Sequence, residues 1–268
     1  MLIPFILGVV IGLILALTGA GGGIIAVPLL VFALNLSITA AAPIALLAVS
    51  LSAALGAGMG LKAGTVRYKA AMLIAGIGML FSPIGLWLAH QLDMRLLGFL
   101  LAFILLFIAY RAYQQTQQKI EDSESALTRK TPCTMNQESG RFIWKARCAW
   151  ALAFCGAVSG FLSGLLGVGG GFIINPALKR LTTLTTDSIV TTSLAVITLI
   201  SLANVGASLL SNQLNLAIAL PFSFGTLAGM LSGRIIAPKI PSKRLQQSFA
   251  SIAVIAAVML IIKNLSLL

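Results

Sequence analysis

Two short glycine runs hold the residues most able to do chemistry. "GAGGGIIAVPLL" (19–30) and "GVGGGFIINPAL" (167–178) match at a constant offset of 148, with Gly19, Gly21, Gly22, Gly23 and Pro28 in register with Gly167, Gly169, Gly170, Gly171 and Pro176. Lacking a Cβ, glycine lets successive backbone N–H groups turn toward one concavity. A helix that starts just beyond adds unpaired N-terminal donors and a positive dipole end, and such a site suits a small anion. Asn175 followed by Pro176 is a good N-cap and N1 pair, which predicts a helix start just past the second run. Val27 stands at the matching place in the first. The plainer use of the same glycines is close helix packing. A dinucleotide-binding loop is excluded, because no G-x-G-x-x-G follows a strand.

These runs lie in a chain built for lipid. Hydrophobic residues make up 59% and charged residues 9%, and mean hydropathy is +1.03. The first charge is Lys62 and a second uncharged run covers 188–233, each far beyond the ~20 residues that span a bilayer. The fold class is therefore an all-α polytopic membrane protein. The opening "MLIPFILGVVIGLIL" lacks a basic n-region and a cleavage site, and is read as part of the mature fold. The net charge of +12 sits in short loops, where bases signal topology and not a nucleic-acid footprint. Cys133, Cys148 and Cys155 show neither metal spacing nor a disulfide framework and are read as structural.

Residues 114–146 hold four of the six acids and read as an exposed linker. It separates a first membrane repeat, 1–113, from a second, 147–268. Membrane helices are expected at 38–61, 70–90 and 96–113, and at 187–210, 215–237 and 245–263. The opening element of each half, 2–35 and 148–184, is too long for one straight span. Lysines and arginines favour the cytoplasmic side, so they test how these elements run. Single crossings divide the eighteen bases 11 to 7. Elements that enter and return put sixteen of the eighteen on one face and leave only Arg95 and Lys263 opposite. The arm after the second run has only about 15 Å of apolar helix, too short to span. Each element therefore reads as a re-entrant hairpin with a glycine-rich tip. One hairpin plus three crossings reverses each half relative to the other, giving inverted repeats, both termini periplasmic and a cytoplasmic linker at 114–146. Interrupted helices in inverted repeats are transporter architecture, with the site near the midplane.

The duplicated G-x-GGG-x-x-x-x-P-x-L pattern resembles the sulfite exporter TauE/SafE family of bacterial membrane proteins. The resemblance covers both halves and omits the linker. It implies export across the bacterial inner membrane of small sulfur-containing or organic anions such as sulfite, sulfoacetate or related sulfonates, with no cofactor. By that likeness Gly19, Gly21, Gly22, Gly23, Gly167, Gly169, Gly170 and Gly171 bind substrate, while Pro28 and Pro176 shape the tips. The expected partners are the small anion and the lipid bilayer, nucleic acid is not one, and a homodimer stays open.

Polar residues at membrane depth extend the candidate site. Ser50 and Ser52, with Thr191, Thr192, Ser193, Thr198 and Asn204, offer donors to an oxyanion, and Ser50, Thr192, Ser193 and Asn175 are placed in the site. The competing use of each hydroxyl is a bond to its own helix. Lys179 and Arg180 either gather anions or snorkel, and snorkelling is favoured. His90 reads as interfacial. No metal site and no assembly of histidine, carboxylate and nucleophile is present, so the chain is not read as an enzyme. No Asp or Glu falls inside an expected span, which favours efflux driven by membrane potential over coupling through a buried carboxylate, with a proton gradient as the other source. An anion channel and an importer of the same anions are the alternatives.

Overall fold

A computed structural model describes residues 2–19, 21–118, 133, 146–182, 184–210, 215–236 and 242–265. Its described residues form helices α1 (Leu2–Thr18), α2 (Gly21–Ala33), α3 (Ile38–Lys62), α4 (Tyr68–Gln91), α5 (Met94–Gln118), α6 (Ala146–Leu166), α7 (Gly171–Leu181), α8 (Thr186–Leu210), α9 (Leu216–Ile236) and α10 (Ser242–Leu265). Five of them, α3, α4, α6, α8 and α9, are long and apolar enough to cross a membrane. The protein is a polytopic helical membrane protein.

Helices start and stop where backbone chemistry requires. Ser37 caps α3, its Oγ accepting from the Ala40 N–H at 3.3 Å. Asp187 sits in the first turn of α8, where a negative charge meets the positive end of the helix dipole. Helices appear within a few residues of all six expected positions, except that α5 runs on to Gln118, and four of the six, α3, α4, α8 and α9, are among those able to cross a membrane. Glutamine is a good helix former, and Gln114 donates back to the Tyr110 hydroxyl at 2.8 Å, one turn earlier.

The two halves interlock through glycine. α1 lies parallel to α9, with Gly8 and Gly12 against the Phe222 and Thr226 carbonyls, and Gly225 and Gly229 against those of Phe5 and Val9. α4 lies parallel to α6 in the same manner, through Gly78, Gly85, Gly156, Gly160 and Gly164. A Cβ at these positions would strike facing backbone, or at Gly78 the Ile200 side chain, so the G-x-x-x-G spacing sets how closely the helices approach. Between these pairs α3 packs against α8 in the antiparallel sense, Gly56 beside Leu194 and Gly60 beside Thr191.

Each opening element breaks at its glycines. Gly19 and Gly167 take left-handed φ values of 74° and 68°. After the break the chain folds back on itself. A Cβ at Gly22 would lie 2.7 Å from Leu15 Cβ and 2.8 Å from the Ile11 carbonyl, whereas a straight helix would hold Ile11 and Gly22 about 16 Å apart. Gly170 meets Ser159 at the same offset of 148, with the Ser159 hydroxyl donating to the Gly170 carbonyl at 3.1 Å.

One reading of the cysteines is corrected. Cys133 and Cys148 form a disulfide across a separation of 15 residues, while Cys155 stays free and buried. The Cys133 N–H donates to the Leu181 carbonyl at 3.1 Å. Cys133 thus touches both the start of α6 and the end of α7. No spacing rule exposes this pairing, because it follows from Cys133 lying where the start of α6 and the end of α7 meet.

Candidate functional site

The tips of the two opening elements come together. A Cβ at Gly23 would sit 2.6 Å from the Val168 carbonyl. Gly19 packs on Val190 and Gly167 on Ala42, again equivalent positions at the offset of 148. The starts of α2 and α7 therefore meet, and helix starts leave their first N–H groups without an intrahelical partner. Two positive dipole ends share one junction, which favours a negative occupant.

The tips differ in form. Gly167, Gly169 and Gly170 are all left-handed, and Gly170, at φ 66°, is the N-cap of α7. In the first run Gly19 is left-handed and α2 already begins at Gly21. The second tip thus presents a longer stretch of irregular backbone, including Gly169, while Gly171 opens the helix.

Asn175 and Pro176 do not start α7 as expected. The glycines let the helix begin at Gly171, so Asn175 lies inside it and Pro176 is its sixth residue. Pro28 likewise lies inside α2. An interior proline removes the N–H that would bond the carbonyl four residues back, here that of Phe172 or Ile24. Asn175 instead joins the tips, its Nδ2 donating to the Thr18 carbonyl at 3.1 Å. Its Oδ1 is buried without a partner.

The hydroxyls chosen from the sequence divide. Ser193 reaches the Gly19 carbonyl at 3.4 Å while donating to Val190 at 2.8 Å, which places it at the first tip. Ser50 is buried and donates to the Leu47 carbonyl at 2.8 Å, its own helix. Thr192 accepts the Arg67 N–H at 3.0 Å, away from the tips at the α3–α4 turn. Thr191 and Thr198 also bond carbonyls of their own helix.

Two features escaped the sequence reading. Ser201 is fully buried, its Oγ has no partner, and it lies beside Gly169, 3.1 Å from where a Cβ would stand. A buried network adjoins it: Ser82 donates to Asn204 Oδ1, and Asn204 Nδ2 donates to Ser163 Oγ at 3.1 Å. At the equivalent positions in the other half stand Ala53, Met230, Gly56 and Leu15. The Ser201–Asn204–Ser82–Ser163 group beside the second tip therefore has no polar counterpart at the first. The available signal was Ser193, Ser201 and Asn204 falling near one face of α8 at helical spacing.

A cavity approaches the second tip between the starts of α3 and α5 and the end of α4. Thr39, Leu46, Leu86, His90, Gly167 and Asn204 are among its walls. Lys179 and Arg180 are exposed at the end of α7. No group of three or more His, Cys, Asp or Glu placed to hold a metal occurs among the described residues.

Comparison with known proteins finds probable membrane transporters. A probable membrane transporter protein of Methanocaldococcus jannaschii is 25% identical over 253 residues, covering 87% of this chain and 86% of that one. Another from Xylella fastidiosa is 27% identical over 262 residues, covering 95% and 92%. A third from Bacillus subtilis is 26% identical over 252 residues, covering 89% of each. No solved structure matches the chain. The family model described as sulfite exporter TauE/SafE matches residues 4–260, which takes in both glycine tips, and the chain belongs to that family.

Proposed function

We propose that this membrane transporter exports small sulfur-containing or organic anions, sulfite, sulfoacetate or related sulfonates, across the bacterial inner membrane. The substrate rests where the two glycine tips face each other. The observation that carries the reading is the junction itself: Gly23 abuts Val168, two helix starts converge, and Asn175 and Ser201 hold unpartnered polar atoms beside them. Backbone N–H groups and hydroxyls suit an oxyanion without a buried cation.

In this reading the halves, 1–113 and 147–268, are inverted repeats joined by a cytoplasmic linker at 114–146, and each opening element is a re-entrant hairpin. Support comes from Cys133 touching both ends of the second element, and from helix directions. α1 is parallel to α9 and α4 to α6, while α3 opposes α8. Since only a few residues separate α3 from α4 and α8 from α9, α1 then runs opposite to α6. Alternating exposure of the tips moves the anion, and the inside-negative potential drives it outward.

A binding screen of the purified protein tests the site. Sulfite, sulfoacetate and taurine are compared with sulfate and short carboxylates by thermal shift. Saturable stabilisation by at least one small sulfur-containing or organic anion, weakened in Asn175→Ala, is expected. Indifference to every anion would contradict the reading.

A further inference from the structure

The walls of the cavity at the second tip have equivalents at the first. Leu86 corresponds to Arg234, Leu46 to Leu194, Asn204 to Gly56 and Thr39 to Asp187. There Met230, Leu194 and Arg234 close on Gly56. A Cβ at Gly56 would strike Met230 Cε, lie 2.7 Å from Leu194 Cδ1 and stand 3.5 Å from Arg234 Nη1. Arg234, in the last turn of α9 and half-buried, donates Nη1 to the Gly56 carbonyl at 3.1 Å. Neither Asp187 nor any other carboxylate among the described residues forms an ion pair with it. At the α3–α4 turn, Arg67 has its Nε buried without a partner, while its backbone N–H is held by Thr192.

A guanidinium bonded only to a backbone carbonyl is a weakly satisfied charge. An oxyanion accepts the same donors in a charge-assisted, two-pronged bond that a carbonyl cannot match. We propose that Arg234 is an anion-operated latch on the base-rich mouth: its guanidinium closes the path over Gly56, and a small oxyanion arriving from that side draws it away. Met230 and Leu194, left without the arginine across them, then part to admit the anion to the tips. This rests on the transport reading above.

Flux of labelled sulfoacetate and sulfite is measured in membrane vesicles of both orientations carrying the full chain. A hydrogen-bonded charge changes affinity by about tenfold or more, so Arg234→Gln is expected to raise KM at least ~10-fold from the base-rich face and to leave KM from the other face unchanged. Arg234→Lys, which keeps the charge but not the planar fork, falls between. Equal effects on both faces, or none, would overturn the latch. A second measurement stands apart from transport: Leu194→Cys is labelled with an impermeant maleimide from the base-rich side, in a chain with Cys133 and Cys148 replaced by serine. Adding Arg234→Gln must speed that labelling, and an unchanged rate overturns the latch even if flux is seen. If the parent protein moves neither anion while Arg234→Gln still speeds labelling, the transport reading fails and the latch stands as a closure.

Discussion

The Asn175 side chain on α7 donates to the carbonyl of Thr18, the last residue of α1, at 3.1 Å. One amide thus ties a helix in one half to the turn of the other. Its Oδ1 is buried and unpaired. Replacing it with alanine removes the tie and is expected to cost about 1 kcal/mol of stability, the net worth of a hydrogen bond. Thermal unfolding of the purified variant checks this, and an unchanged midpoint would show that the bond is not formed in solution.

Glycine substitutions separate the tips from ordinary helix positions. Gly170→Ala places a Cβ against the Ser159 side chain and 2.6 Å from its carbonyl, at a φ of 66°. Strain and clash together are expected to cost at least ~2 kcal/mol. Gly76→Ala in α4 meets nothing within 4 Å, and helix propensity alone gives it a gain of up to about 1 kcal/mol. Comparing the yield and melting temperature of the two variants tests this, and equal behaviour would contradict it.

Much of this was legible in the sequence, for a physical reason. Lipid requires long uncharged helices, so the bounds of six helices could be read to within a few residues, the end of α5 excepted. The glycine runs marked where each opening element breaks, because a left-handed turn at Gly19 and Gly167 favours a residue without a Cβ. The start of α7 was misread because Asn-Pro is a local cap signal, while three left-handed glycines let the helix begin earlier. Ser50 bonds a carbonyl of its own helix and Thr192 the Arg67 N–H, partners that depth in a helix alone does not reveal. The Ser82–Asn204–Ser163 network joins residues far apart in the chain, so the spacing of polar residues along α8 could mark Asn204 but not its partners.

That network makes a prediction of its own. Asn204→Leu leaves the hydroxyls of Ser82 and Ser163 buried without their partner and is expected to cost ~1–3 kcal/mol. Adding Ser82→Ala and Ser163→Ala should restore part of the loss. A triple variant no more stable than the single one would contradict the coupling.

The Cys133–Cys148 bond tests the placement of the linker. Disulfides persist in oxidising compartments and are reduced in the cytosol. With a cytoplasmic linker, the two thiols should be free to react with alkylating reagent in freshly lysed cells and pair only after oxidation. Mass spectrometry of the alkylated protein reads this directly. A bond already closed in intact cells would place the linker on the other side of the membrane.

Anion flux under an imposed voltage tests the central claim most directly. In proteoliposomes loaded with sulfite or sulfoacetate, an interior-negative potential should accelerate efflux, since moving one charge through 100 mV is worth ~2.3 kcal/mol. Flux should saturate and show counterflow. Flux indifferent to voltage and following a pH gradient would contradict the account, and Asp187 would become the first residue to replace.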